Sequence, residues 1–162
     1  MFKELKYLLL FCCISSNAFA FSVQSDLIGV DGKINVLYTC KGSNQSPILQ
    51  VQDVPMGTKS LALTLDDPDA PSGLWTHWVV WNIPPNVKYI KAGMGITGRN
   101  SWSNIAYQGP CPPTGLHHYS VKLYALDTLL HLPAGSNSDI FRQNMLGHVL
   151  AEAQAMGVMA GK

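Results

Sequence analysis

Residues 60–82 of the chain, SLALTLDDPDAPSGLWTHWVVWN, decide its fold. The apolar runs at the two ends, 60–65 and 77–82, have the composition of β-strands. The turn between them is rich in Asp, Pro, Ser and Gly, and Pro68 and Pro71 stiffen it because each proline fixes its own φ angle. The stretch therefore predicts two strands joined by a rigid turn that carries several carboxylates.

Further short apolar runs with strand composition recur at 21–23, 33–38 and 119–126. Clusters of Pro, Gly, Asn and Asp separate the runs, and no long amphipathic helix lies between the central ones. This spacing favours a mainly β fold, an antiparallel β-sandwich of two sheets, over alternating βαβ units.

A C-terminal α-helix is predicted over 139–156, with Ser138 as the N-cap. One stripe of this segment repeats apolar side chains at i, i+4 spacing: Phe141, Met145, Val149 and Ala153. We expect the helix to end at Gly157, because glycine is favoured just beyond a helix C-terminus.

The first twenty residues have the form of a secretory signal peptide. Two lysines precede an apolar run, 7–14, and residues 18–20, Ala-Phe-Ala, have the small-x-small form of a cleavage site. The run is shorter than the roughly 20 residues that a membrane-spanning helix needs, which disfavours a retained anchor. We therefore predict that residues 1–20 are removed and that 21–162 form a single exported domain, periplasmic or secreted.

The charges of the chain are balanced, with 11 Lys and Arg against 10 Asp and Glu and a formal net charge of +1. Binding to nucleic acid or to an anionic membrane draws on clustered Lys and Arg. We therefore expect neither nucleic acid nor an anionic membrane as a partner. Because the apolar run 7–14 is short and is removed with the signal peptide, we also expect no transmembrane segment after processing.

Cys12 and Cys13 lie in the expected signal peptide and are lost with it. Cys40 and Cys111 remain, in a compartment that permits disulfides. They are either bonded to each other or two buried thiols, and the sequence leaves both alternatives open.

A second unusual stretch, 109–119, reads GPCPPTGLHHY. Alternate side chains of a strand share a face, so His117 and Tyr119 lie together while His118 faces the other way. Adjacent histidines on opposite faces do not serve as two ligands of one metal ion.

The same alternation puts His77 on one face with Val79 and Trp81. On its own, His77 is interpreted as a half-buried histidine bonded to a backbone carbonyl. In the acidic turn, Asp66 suits a structural role in capping local amides.

Asp67 and Asp69 would repel each other unless water, a histidine or a ligand compensates their charges. Backbone held by proline lets polar groups converge without a large ordering cost on binding. We therefore predict one polar pocket where the acidic turn, the strand with His77 and the stretch 109–119 meet.

Several specific motifs are spread over the chain: YTCKG (38–42), SP (46–47), DPDAP (67–71), WTHW (75–78), YQGPCPP (107–113), GLHHY (115–119), YALD (124–127) and GHVLA (147–151). Together they resemble the phosphatidylethanolamine-binding protein family, also called the Raf kinase inhibitor protein family, in its bacterial branch. The resemblance implies a β-sandwich with a small pocket at one end that accepts phosphate or a phosphorylated head group.

The resemblance also implies which residues bind the ligand: Asp67, Asp69, His77, Gly109, Pro110, Cys111, Pro112, His117 and Tyr119. The family includes inhibitors of kinases and of proteases, so a protein partner of unknown identity is a further expectation. Two features depart from many eukaryotic members. His118 stands in place of a basic residue, and the Gly-Pro-Cys-Pro-Pro loop replaces a Gly-rich one.

Three classes of function follow. The favoured one is a secreted binding protein without enzymatic activity or cofactor, which binds a phospholipid head group or another small anionic ligand, or regulates a partner kinase or protease. The second is a hydrolase using His and Asp, which lacks a Gly-x-Ser-x-Gly nucleophile motif and has Cys111 between prolines. The third is a metal site formed by Asp67, Asp69, His77 and His117, without close His-x-His spacing.

The signal-peptide interpretation predicts the mass of the exported protein. If cleavage follows Ala20, the intact mass of the exported protein corresponds to a chain that begins at Phe21. Mass spectrometry of the secreted or periplasmic fraction checks this, and a soluble exported protein that retains residues 1–20 would refute it.

Overall fold

The computed structural model of the protein describes residues 20–162. The predicted signal peptide, residues 1–20, therefore lies outside the described residues except for Ala20. The elements of the described part, with a 3₁₀ turn at Val36–Tyr38, are β1 (Ser22–Ser25), β2 (Leu49–Gln52), β3 (Ser60–Asp67), β4 (Trp75–Ile83), β5 (Tyr89–Ile90), β6 (Ile96–Thr97), β7 (Leu116–Leu126), α1 (Ser138–Met145) and β8 (Val149–Ala160). No helix within 20–162 combines the length and the apolar character needed to cross a membrane.

The strands form two antiparallel sheets, which confirms the predicted mainly β fold. The smaller sheet has the order β1-β2-β5, and the larger has the order β6-β4-β3-β7-β8. All strand pairs in both sheets are antiparallel. The quoted runs 60–65 and 77–82 form the interior of β3 and β4, which lie side by side at the centre of the larger sheet.

The central strand β3 is buried along its whole length because both faces of the larger sheet are covered. Leu61, Leu63 and Leu65 point to one core, which they share with residues of the smaller sheet. Ala62 points to a second core, which it shares with Phe141 of α1. This separation follows the period of two of an extended strand.

The predicted C-terminal helix is much shorter than expected, and this prediction was wrong for residues 146–156. Helix α1 ends at Met145, and Gly147 follows with φ 81°, a left-handed conformation that glycine adopts without strain. The N-cap is Asn137 rather than Ser138, and its side-chain oxygen accepts a hydrogen bond from the Ile140 amide at 2.9 Å. Only the first two members of the predicted stripe, Phe141 and Met145, belong to the helix, and both are buried.

The remaining part of the predicted helix forms strand β8, which pairs with β7 along most of its length. Val149 and Ala153 belong to this strand, because pairing with a long neighbouring strand overrides the local helical pattern. Gly157 does not end a helix. It lies within β8, where an added Cβ would approach Ile34 Cδ1 to 2.8 Å, so the absent side chain makes room for the neighbouring segment.

The run 33–38 was also predicted as a strand, and it is not one. Ile34 contributes only an isolated bridge, and the 3₁₀ turn Val36–Tyr38 follows it. The side chain of Asn35 caps this turn by accepting a hydrogen bond from the Leu37 amide at 3.1 Å. Local capping by Asn thus competes successfully with the strand tendency of the apolar residues.

A buried ion pair ties α1 to the centre of the larger sheet. The Arg142 guanidinium donates to Asp66 Oδ1 at 2.8 Å, and only 4% of the Asp66 side chain is exposed. The hydroxyls of Thr64 and Thr76 donate to the same carboxylate at 2.7 and 2.8 Å. Asp66 therefore has a structural role, but it binds side chains of other elements rather than capping amides of its own turn.

The Arg142→Met variant is expected to lower the free energy of unfolding by about 2 kcal/mol, because it leaves the buried Asp66 carboxylate with only two hydroxyl donors. Urea denaturation measures the change. Lys122→Met is the matched control, since it breaks a more exposed ion pair with Glu152 at 3.0 Å. The control should lose less than about 1 kcal/mol. Equal losses from the two variants would contradict the structural role assigned to the Arg142–Asp66 pair.

Candidate functional site

A pocket of about 300 Å³ opens where the ends of β3, β4 and β7 meet two loops. Its walls combine polar and aromatic side chains with prolines. The lining residues are Asp67, Ala70, Pro71, Ser72, Trp75, His77, Trp102, Cys111, Pro113, His117 and Tyr119. The structure thus brings five of the nine predicted ligand-binding residues to one pocket, Asp67, His77, Cys111, His117 and Tyr119.

The His117 side chain is fixed by Asp67. Its Nδ1 lies 2.7 Å from Asp67 Oδ2, and both side chains are buried. A carboxylate only accepts hydrogen bonds, so Nδ1 carries the proton and donates it. The other carboxylate oxygen, Oδ1, accepts from the Asp69 amide at 2.9 Å. With Nδ1 engaged in this way, Nε2 is the ring nitrogen that His117 can offer to a ligand.

His77 reaches the pocket through a β-bulge. Leu65 pairs with Trp78 and Asp66 with Thr76, so His77 is an extra residue on β4 that the alternation rule does not anticipate. Its ring contacts Tyr119 with centroids 5.4 Å apart.

The predicted face of His77 is therefore wrong. Val79 and Trp81, its expected companions, pack in the other core with α1, because the bulge reverses the alternation at His77.

His77 is bonded to a backbone carbonyl, as predicted, but it is buried rather than half-buried. Nδ1 donates to the Gln108 carbonyl at 2.8 Å. Burial lowers the pKa of His77, and the Gln108 carbonyl opposes this only in part. The neutral ring then presents Nε2 as an acceptor, and this buried atom has no hydrogen-bond partner among the described residues.

Tyr119 presents a second buried polar atom without a partner. Its hydroxyl has no hydrogen-bond partner in the described part of the chain, although the side chain is fully buried. Burial, helped by the negative charge of Asp67, raises the pKa of Tyr119, so the phenol keeps its proton. A buried polar group without a partner costs about 1–3 kcal/mol. Two residues that line the pocket, His77 and Tyr119, therefore each carry a buried polar atom without a partner among the described residues.

Two tryptophans form an aromatic wall that the sequence analysis missed. Trp75 and Trp102 meet edge to face with centroids 5.2 Å apart, and Trp102 also contacts the His77 ring at 4.9 Å. The Trp102 loop is held by Asn100, whose side-chain oxygen accepts from the Trp102 and Asn104 amides, both at 3.0 Å. Trp75 stands two residues before His77 and could have been found from that spacing, but no local pattern marks Trp102.

Asp69 does not line the pocket, which corrects its predicted place beside the pocket histidines. Asp69 Oδ2 accepts from both the amide and Nδ1 of His118, at 2.8 and 2.7 Å. These hydrogen bonds, that of the amide first, hold the pKa of Asp69 below its usual value. The two side chains are about half exposed. The turn thus divides its carboxylates, with Asp67 binding His117 inside the pocket and Asp69 binding His118 outside it.

The other predicted loop residues support the pocket wall from behind. Gly109, Pro110 and Pro112 are buried but do not line the pocket. The Gly109 amide donates to the Asn44 side chain at 2.8 Å, and a Cβ at position 109 would clash with the Tyr38 carbonyl. The loop therefore needs glycine here in order to lie against the 38–44 segment.

A disulfide joins the same two segments. Cys40 and Cys111 are bonded, with their Cα atoms 5.5 Å apart, which decides between the two alternatives for this pair. Cys111 lines the pocket, so the disulfide forms part of its wall.

Within residues 20–162, no three His, Cys, Asp or Glu side chains come close enough together to hold a metal ion. His117 Nδ1 is already hydrogen-bonded to Asp67. The four residues considered for a metal site are thus divided between separate hydrogen-bonding pairs.

Comparison with known families decides the relationship of this protein. The family model of phosphatidylethanolamine-binding protein matches residues 24–160. The chain belongs to this family. The resemblance inferred from the short motifs is confirmed.

Prokaryotic members of the family are similar over most of the chain. The UPF0098 protein of Methanothermobacter thermautotrophicus is 46% identical over 136 residues, which cover 78% of this chain and 90% of that protein. The crystal structure of CT736 from Chlamydia trachomatis matches with a TM-score of 0.82 and 35% identity, over 88% of this chain and 99% of the other. YbcL of Escherichia coli matches with a TM-score of 0.78 and 33% identity over the same shares.

The buried His77 predicts a pH dependence of stability. Its pKa is lower in the folded protein than the ordinary value of 6.5, so the unfolded chain binds more protons once the pH falls below that value. The free energy of unfolding should therefore fall as the pH is lowered from about 6.5 towards 5. Urea denaturation at a series of pH values measures this slope.

His77→Phe should flatten that slope, because phenylalanine fills a similar space and does not titrate. His131→Ala, at an exposed position, is the matched control and should leave the slope unchanged. An identical slope in His77→Phe and in the unsubstituted protein would show that His77 is not the group responsible.

Proposed function

We propose that this member of the phosphatidylethanolamine-binding protein family binds a small ligand through a phosphoryl or other anionic group. The observation that carries the proposal is that two residues lining the pocket, His77 and Tyr119, each have a buried polar atom, Nε2 and the hydroxyl, without a hydrogen-bond partner among residues 20–162. Buried polar groups in folded proteins are nearly always paired, so such atoms on pocket-lining residues favour a ligand beside them.

The charges of the pocket restrict the form of the anion. Among residues 20–162, no Lys or Arg lines the pocket, and Asp67 contributes a negative charge. A fully ionised phosphate would be repelled by this carboxylate. A phosphate that keeps one proton fits better, because its P–OH group donates to His77 Nε2 or to His117 Nε2 while its other oxygens accept from the Tyr119 hydroxyl.

The carbon part of the ligand has a matching surface. Trp75, Trp102 and Pro71 form an apolar wall on one side of the pocket. A head group with a short alkyl chain would bury that chain against these rings, while an ammonium end would be attracted to Asp67 and to the aromatic faces. A phospholipid head group therefore falls within the proposed ligand class.

The hydrolase alternative has less support. The Cys111 sulfur is bonded to Cys40 and provides no thiolate for attack on a substrate. Ser72 lines the pocket but is exposed, and within the described residues no histidine hydrogen-bonds to its hydroxyl. A hydroxyl nucleophile needs an adjacent base, so we propose binding rather than catalysis.

We further propose that the protein acts outside the cytoplasm, as its N-terminal sequence suggests. A Cys40–Cys111 disulfide is compatible with this location, because disulfides persist in oxidising compartments. Because the family includes inhibitors of kinases and proteases, we also propose that this protein regulates a partner of one of these classes. A phosphorylated ligand in the pocket would be the means of controlling that interaction.

Ligand binding can be tested by NMR. Phosphate or phosphorylethanolamine should shift the side-chain signals of His77, His117 and Tyr119 together, and binding should weaken as the pH rises and the phosphate loses the P–OH proton that the histidines accept. His117→Ala should reduce the binding free energy by about 1.5–3 kcal/mol, the range for a hydrogen bond to a charged group.

His118→Ala is the matched control, because His118 binds Asp69 outside the pocket. It should leave the affinity for phosphorylethanolamine nearly unchanged. Equal losses from the two alanine variants would place the ligand elsewhere, and a lack of response from all three pocket side chains would refute the proposed function.

A further inference from the structure

The Cys40–Cys111 disulfide reaches the pocket, because Cys111 is one of the residues that line it. We propose that the Cys40–Cys111 disulfide is a redox-sensitive control of this pocket, so that its reduction loosens the pocket wall and weakens ligand binding. This inference rests on the proposed function and concerns the regulation of the same site.

The chain on both sides of Cys111 is held independently of the disulfide. Upstream, the Gly109 amide and the Tyr107 hydroxyl donate to the 38–44 segment at 2.8 and 2.6 Å. Downstream, the Gly115 carbonyl accepts from the Gly161 amide at 2.7 Å. Reduction would therefore leave both flanks in place and free only the short segment between them.

That short segment has few other means of support. Pro110 and Pro112 flank Cys111 and have no amide hydrogen to donate. The Pro110 carbonyl accepts from the Cys40 amide at 3.2 Å, which is the upper end of the range for such a bond. Apart from the packing of its two buried proline neighbours, Cys111 is thus held in the wall by the disulfide.

Cys111 is also coupled to the ligand-binding groups. Cys111 and Tyr119, whose hydroxyl has no hydrogen-bond partner among the described residues, line the same pocket. A displacement of Cys111 would change the surroundings of this hydroxyl, which is one of the two buried polar atoms that we assign to the ligand. Reduction of the disulfide should therefore change the surroundings of Tyr119 in the pocket.

The bond is accessible to a reductant, because both cysteines are exposed. A dithiol reacts through its thiolate, which bonds to one cysteine sulfur while the S–S bond breaks and the other cysteine leaves as a thiolate. The second thiol of the reductant then displaces the first cysteine. Two electrons pass from the dithiol to the protein, which gains two thiols, and the reductant becomes a cyclic disulfide.

The experiment compares the oxidised protein, the protein reduced with dithiothreitol, and the Cys40→Ser/Cys111→Ser double variant. Without ligand, reduction should shift the NMR signals of Tyr119 and His117 and leave the core amides of β3 unchanged. The affinity for phosphorylethanolamine should fall about three- to tenfold, as for the loss of one hydrogen bond. The double variant should bind like the reduced protein and should not respond to dithiothreitol.

Unchanged Tyr119 and His117 signals in reduced, folded protein would overturn the inference. Global unfolding of both the reduced protein and the double variant would also overturn it, because the disulfide would then stabilise the whole fold rather than control the pocket. If the oxidised protein binds neither phosphate nor phosphorylethanolamine, the proposed function fails. The signals of the ligand-free protein would still decide whether the disulfide controls the pocket.

Discussion

Two neighbouring buried carboxylates at the end of β3 constrain the rest of the structure. Adjacent residues of a strand point to opposite faces, so Asp66 and Asp67 lie on opposite sides of the larger sheet. Asp66 binds Arg142 of α1, and Asp67 binds His117 at the pocket. Because an unpaired buried charge is strongly destabilising, each carboxylate requires its partner to be in place. The same two residues thus fix the helix on one face and the pocket on the other.

The bulge beside these carboxylates turns a structural strand into part of a binding site. It brings His77 to the same side as Tyr119, and the Gln108 carbonyl then fixes the orientation of the ring. Asp67 fixes His117 in a similar way. Each ring is therefore positioned by one nitrogen and keeps the other for a ligand, which lowers the entropy that must be lost on binding.

Two loops with different internal contacts contribute to the pocket wall. Prolines and the close approach of Gly109 to the 38–44 segment set the path of the loop, and the disulfide locks Cys111 at its tip. Trp102 lines the pocket from another loop, which is organised by the side chain of Asn100. Different contacts therefore hold different segments of the wall.

The sequence by itself determined the central strands, the shared face of His117 and Tyr119, and the family, because composition, a period of two and short motifs are local properties. Only the tertiary structure decided the rest. Most of the predicted helix is strand β8, because this segment pairs with β7. A local pattern cannot reveal that pairing, since β7 is distant in sequence. The bulge at His77 depends on the register of β4 against β3. Asp69 accepts a hydrogen bond from His118 because the neighbouring strand β7 places that residue within reach. Such choices depend on contacts between distant segments, which no local pattern encodes.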